Sequence, residues 1–230
     1  MRYPFYLEVG PHEHTLAYVF LLPGVVSGGR TPEAAWAALP PALAAEFDRL
    51  AEHGAPWTHA AEPIELVEAE RVTVTSDIER GVSTALFRYE LRPTTDQDVA
   101  LALERLRFSR VDFERVIARA RAAGGDAWGS GSRAATIVGE AADTEWWLLS
   151  RLGTRPDAKL PPDPVERLPA VHALTVERLT NLLPGDRERH AVFAGEPWTT
   201  RKVLRRLLQN ERTRTVELAA LVDPTASTSR

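Results

Sequence analysis

WTTRKVLRRLLQNERTRTVELAALV, residues 198–222, is the stretch from which the rest of the chain can be read. Steps of four and three give Leu204, Leu208, Glu211, Thr215, Leu218 and Val222, with Leu207, Arg214 and Leu221 beside them. That spacing predicts one apolar stripe along a helix of about six turns. Glu211 and Arg214 interrupt the stripe near its middle. A charge in an apolar interior needs a partner or a role, so the functional question starts at these two residues.

Three further segments share the helical period: roughly 96–122, 132–152 and 163–183, followed by 199–221. The breaks AAGGDAWGSGS, GTRPDAKLPPD and PGDRERHAVFAGEPW are rich in glycine and proline, as connections between bundle helices are. The expected architecture for residues 96–222 is therefore a four-helix bundle. Each stripe carries polar residues midway. The first runs Val99, Leu103, Leu106, Arg110, Phe113, Ile117, and the second Ala134, Val138, Ala141, Glu145, Leu148, Leu152. The third runs Leu168, His172, Thr175, Leu179, Leu182, and the fourth carries Glu211 and Arg214. All four helices thus offer polar groups at one height, where bundles build ligand and metal sites from facing helices. Two readings stand open: a polar pocket, or boundary charges whose heads reach water in ion pairs.

The N-terminal part reads differently. YPFYLEV (3–9) and TLAYVFLL (15–22) are rich in aromatic and β-branched residues and predict a hairpin, with a third extended segment after Pro23-Gly24. Thr31 as N-cap, Pro32 at the first helical position and Glu33 in the first turn open a helix that Gly54 ends. Pro40-Pro41 should kink or break that helix. PIELVEAERVTVT (63–75) and VSTALFRYELR (82–92) read as strands, and Thr95 as the cap that starts the bundle. The whole is expected to be α+β: a sheet domain over 1–92, a helical domain over 96–222 and a flexible tail over 223–230.

Composition narrows the chemistry. The 230 residues are 44% hydrophobic with a formal net charge of -4, which gives no general attraction for nucleic acid or anionic membrane. The basic run Arg201, Lys202, Arg205, Arg206, Arg212, Arg214 is spread over several helix faces and broken by Glu211 and Glu217. It reads as a solvated, partly paired helix, which argues against nucleic acid. No membrane span or signal peptide is expected, so the location read from the sequence is cytoplasmic. The chain has no cysteine and six histidines. Disulfides, thiolate catalysis and cysteine-zinc sites are excluded.

Two resemblances add to this reading. LPGVVSGG followed by TPEAAWAALPPALAAEFDRLAEHG resembles the HicB-like antitoxin domain over residues 3–55, with Ala34 where that family has Glu. The resemblance implies a three-stranded sheet carrying a helix and a partner role toward an RNA-cleaving toxin. WGSGSRAATIVGEAADTEWWLLSRL and the 198–222 helix are similar to the second and fourth helices of the DinB-like family, whose patterns are Trp-Ser, His-x-x-Asp-x-Glu, Trp-Thr and His-Glu-x-x-His. Many members bind a divalent metal and several activate a low-molecular-weight thiol.

Carried over, the metal positions fall on Glu140, Asn210 and Arg214. The acidic neighbours are Asp143 or Glu145 and Glu211, and Arg206 stands one turn before Asn210. No histidine remains at the metal positions, and arginine has donors only, so zinc and nickel are not expected there; a carboxylate site of Glu140, Asp143, Glu145 and Glu211 for magnesium, manganese or calcium is the minor alternative, and no metal or cofactor is assigned. An ion pair of Glu140 with Arg214 or Arg206 would replace the metal crosslink, and losing one buried member would cost about 3–5 kcal/mol. The function expected on this basis is a non-catalytic binding or scaffold protein with a degenerate metal site, partnered by a small molecule or a protein. The alternatives are a metal-independent, thiol-dependent transferase or hydrolase, and a regulatory partner of an RNA-cleaving toxin. The resemblance also implies a homodimer. Candidate polar-network residues are Glu140, Glu145, Arg206, Asn210, Glu211, Arg214, Arg110 and His172, with no catalytic residue assigned.

Overall fold

A computed structural model describes residues 1–124, 128–129, 131–153 and 157–223; the expected tail beyond 223 lies outside these. The chain divides into two compact units, Met1–Leu91 and Arg92–Arg230. It is mixed α+β, a four-stranded sheet followed by helices.

The first unit is built from β1 (Arg2–Val9), β2 (Thr15–Tyr18), β3 (Val26–Gly29), α1 (Pro32–Ala37), α2 (Leu39–Glu52) and β4 (Glu65–Thr73). The strand order is β3-β2-β1-β4, antiparallel except for the β1–β4 pair. Alternation along β1 sends Tyr3, Phe5 and Leu7, all buried, to one face. There they meet Trp36 of α1 and Phe47 of α2. Thr31 caps α1 through the Ala34 N–H at 3.2 Å. The helix breaks at Ala38, two residues before Pro40-Pro41, because prolines that cannot continue a helix fit the first turn of a new one.

The other sheet face carries Tyr6, Tyr18, Phe20, Phe87 and Tyr89, with ring centroids 4.4–6.2 Å apart. The segment 82–92 predicted as a strand covers this face without joining the sheet. The cause is Glu8, which is fully buried beneath it. Its carboxylate accepts the N–H groups of Thr84 (2.7 Å) and Ala85 (2.9 Å) and the hydroxyls of Tyr18 (2.8 Å) and Ser83 (2.7 Å). Main-chain donors that a neighbouring strand would have used go to one side chain instead.

The second unit holds α3 (Asp96–Ala123), α4 (Arg133–Leu149), α5 (Pro164–Thr180), α6 (Pro184–Arg187), the hairpin β5 (His190–Phe193) and β6 (Glu196–Thr199), and α7 (Thr200–Val222). Thr95 and Asp98 form a reciprocal capping box at the start of α3. α3 packs on α7, α7 on α4, α4 on α5, and α5 closes back on α3. The core of this bundle is in two pieces. One gathers Val99, Ala102 and Leu106, Leu148 and Leu152, Leu179, Trp198, and Leu204, Leu207 and Leu208. The other gathers Phe113, Ile117 and Ala120, Ala134, Val138 and Ala141, Leu168 and Leu218. Between them, on every long helix, lies the height at which the stripes turn polar. Among the described residues no helix is long and apolar enough to cross a membrane.

Candidate functional site: a buried ionic layer

Arg110 of α3, Glu145 of α4, His172 of α5 and Glu211 of α7 meet between the two halves of the core. Arg110 Nη2 donates to Glu145 Oε2 at 2.8 Å and lies 3.1 Å from His172 Nδ1, which is 3.1 Å from Glu145 Oε1. Arg110 Nε stands 2.7 Å from Glu211 Oε1. Arg110, Glu145 and Glu211 are 6%, 4% and 4% exposed, so water does little to screen them. Thr175, one turn beyond His172, is fully buried and gives its hydroxyl to the Val171 carbonyl at 3.1 Å.

The two carboxylates are not equivalent. Burial by itself raises Glu145, but the hydrogen bond with His172 and the charges of Arg110 and His172 outweigh it, and its carboxyl sits below the ordinary value. Burial pushes Glu211 up to about 8; Arg110 opposes this, while Glu145, Glu114 and Asp112 add to it. Alignment explains the difference. The 2.7 Å approach of Arg110 to Glu211 is not directed as a hydrogen bond, and both Glu211 oxygens lack a hydrogen-bond donor. A buried carboxylate with no donor holds its charge poorly and keeps its proton. At neutral pH the layer therefore contains an Arg110–Glu145 ion pair and a protonated Glu211. One carboxyl is a fixed charge and its neighbour a proton reservoir, a division that also serves acid–base chemistry where a substrate can reach it.

A second contact joins α4 to α7 nearer the surface. Arg214 Nη1 donates to Glu140 Oε2 at 2.7 Å and to Glu217 Oε2 at 2.7 Å, and Asn210 Nδ2 donates to the Ala141 carbonyl at 3.1 Å. The structure thus brings Glu140, Asn210 and Arg214 to one helix interface. The condition of full burial attached to the larger cost is not met: the Glu140 and Arg214 side chains are 41% and 23% exposed. Arg133 also approaches Glu140, at 3.5 Å. Glu140→Ala should therefore cost less than about 1 kcal/mol, the scale of solvated pairs, rather than the 3–5 kcal/mol of a buried one. Thermal melts of the variant measure this directly, and a loss on the larger scale would contradict the geometry. Arg206 is partly buried on α7.

The donor set around Glu140 does not fit a divalent metal. Arg214 brings a permanent cation to the carboxylate, and the Asn210 amide is turned so that its NH2 is engaged. Among the described residues no group of three or more His, Asp or Glu side chains is arranged to hold a metal ion.

The basic run of α7 departs from the solvated helix expected of it. Lys202 is fully buried and Arg205 is 8% exposed. The β5–β6 hairpin covers Lys202: its Nζ lies 2.8 Å from Glu196, donates to the Pro197 carbonyl at 2.9 Å and sits 4.6 Å from the centre of the Trp198 ring. Arg201 grips Asp98 on α3, Nη1 to Oδ1 at 2.8 Å. Lys202 and Arg201 thus tie α7 to β6 and to α3.

No family model, no curated protein and no solved structure matches the chain. The chemistry of the site rests on its own geometry.

Proposed function

We propose that the chain is a non-catalytic binding or scaffold protein whose helical unit is a DinB-like bundle with its metal crosslink replaced by ion pairs. The observation that supports this most directly is the Arg214–Glu140 contact at the position where the resemblance implies metal ligands, with Asn210 tied to the Ala141 carbonyl. Two facing helices are joined there by groups whose lone pairs and protons already serve one another. Deeper in, the four-helix ionic layer crosslinks the bundle from within, and a carboxylate engaged by an arginine is a fastening rather than an open ligand.

Elemental analysis of untagged protein and melts with zinc, nickel, manganese and magnesium test the reading. The expected result is no stoichiometric metal and no rise in Tm with any of the four. Bound metal together with a rise of several degrees would show linked binding to the folded state and overturn it.

A metal-independent transferase or hydrolase is the second reading, favoured by one observation: Glu211 is buried with no hydrogen-bond donor on either oxygen, beside a Glu145 that is paired with Arg110. Turnover of an electrophile by a low-molecular-weight thiol, abolished by Glu211→Gln, would establish it.

A further inference from the structure

β4 ends the sheet of the first unit, with β1 on one side and, among the described residues, no strand on the other. Its backbone orientation follows from two bonds. Glu65 N–H donates to the Met1 carbonyl at 3.1 Å and Val74 N–H to the Val9 carbonyl at 2.8 Å. The register shifts by one residue opposite Phe5 and Tyr6, leaving Ala69 as the extra residue of a bulge. Alternation from both ends then aims the main-chain groups of Leu66, Glu68, Arg71 and Thr73 away from β1. Side chains obey the same division. Leu66, Glu68 and Arg71 line a groove of about 300 Å³ with Phe5, Leu7, Pro32, Glu33 and Trp36, whereas Val72 packs on the opposite face against the aromatic cluster.

This strand is complementary to itself. Place a second copy antiparallel along the open edge, with the two-fold axis between Ala69 and Glu70. Glu68 then faces Arg71 of the other chain and Leu66 faces Thr73, twice each. All four residues direct free N–H and C=O groups outward, so these are the hydrogen-bonded pairs of an antiparallel ladder. The bulge lies on the axis, and every facing pair beyond it puts its side chains on the same sheet face. A register one residue away sets Glu68 against Glu70 and reverses the faces. Charges and a bulge ordinarily guard an edge against indiscriminate pairing. Here they are arranged so that the strand's own two-fold copy satisfies them, and the exposed Glu68–Arg71 pair within one strand, at 2.8 Å, becomes two pairs between strands.

We propose that the chain forms a homodimer by antiparallel β4–β4 pairing, making one continuous sheet of eight strands with the two grooves side by side. This is independent of the bundle and its ionic layer.

The absence of native cysteine makes a crosslinking test free of background. In this register Val67 of one chain faces Val72 of the other in the close, non-hydrogen-bonded type of pair, at the ~4.5 Å Cα spacing that a disulfide tolerates. Full-length Val67→Cys and Val72→Cys variants are to be oxidised separately and as an equimolar mixture. A covalent dimer in the mixture and in neither variant alone is the expected result. Dimer formed equally by either variant alone, or by none, overturns the register. Sedimentation equilibrium supplies the second measurement. Glu68→Arg and Arg71→Glu should each shift wild-type dimer to monomer, and the double variant should restore it. A monomeric wild type, or a dimer indifferent to these reversals, overturns the proposal.

Discussion

Glu211→Gln is expected to stabilise the protein, and increasingly so as the pH rises. Burial raises the Glu211 carboxyl from 4.5 to about 8 in the folded chain, while the unfolded chain keeps the ordinary value. Below the ordinary value both states hold the proton, and the group's full contribution to stability is present. Between the two values the folded state holds a proton that the unfolded state has released, so stability falls with rising pH, by about 1.4 kcal/mol per unit. Above the folded value the contribution is gone, and the folded bundle carries a buried anion without a hydrogen-bond donor. Summed over the window this is roughly 4–5 kcal/mol at most. Glutamine keeps the shape of the protonated acid and cannot ionise, so the variant should follow the wild type in acid and exceed it by several kcal/mol near the upper end. Glu145 acts with the opposite sign, contributing stability above its ordinary value and losing it as the pH falls through its lowered folded value. Urea unfolding of wild type and variant across this range measures the gap between the curves. Two curves that run parallel would remove the protonated Glu211.

The legible parts of the fold were those written in a long period. Four apolar stripes, each interrupted at the same height, announced both the bundle and the residues of its ionic layer. Arg110, Glu145, His172 and Glu211 stood out as candidates because each interrupts an otherwise apolar face, although the same spacing also suited boundary charges with their heads in water. Glu140 and Arg214 were legible as partners but not in depth. One residue is a rotation of about 100° around a helix, enough to carry a side chain from the interior to the rim, and sequence does not fix that phase. The β5–β6 hairpin was hidden because its strands are four residues each and its turn, Ala194 and Gly195 with φ of 51° and 82°, sits in a stretch whose glycine and proline suggest loop. Gly195 between the short apolar runs that hold Val192 and Phe193 and Trp198 was the available signal. That omission propagated. Without the hairpin nothing covered Lys202, and a buried lysine read as a solvated one. Glu8 offered no signal, since three of its four donors come from residues 83–85, far along the chain, and alternation in a strand does not say what lies on its second face.

Arg110→Met separates a fastening from a site. Methionine approximates the length of the arginine stem and removes its charge, leaving Glu145 and Glu211 in the interior without their shared cation. Breaking a buried ion pair by deleting one partner costs on the order of 3–5 kcal/mol, and the loss should grow with pH as Glu211 is driven to ionise. Replacing the whole set tests the other half of the argument. Arg110→Met with Glu145→Leu and Glu211→Leu would join the two halves of the core into one apolar column, and such replacements often restore or exceed the original stability. The expected order in thermal and urea melts is therefore triple variant at or above wild type, and single variant well below. Losses that simply add would show that the three residues do not act as a unit. The triple variant also discriminates function. It keeps the surface and the Arg214–Glu140 contact while deleting every ionisable group of the layer except His172. A ligand or partner of the wild type that still binds it docks elsewhere and the layer is structural; one that is lost from a protein no less stable than its parent was bound by the layer itself.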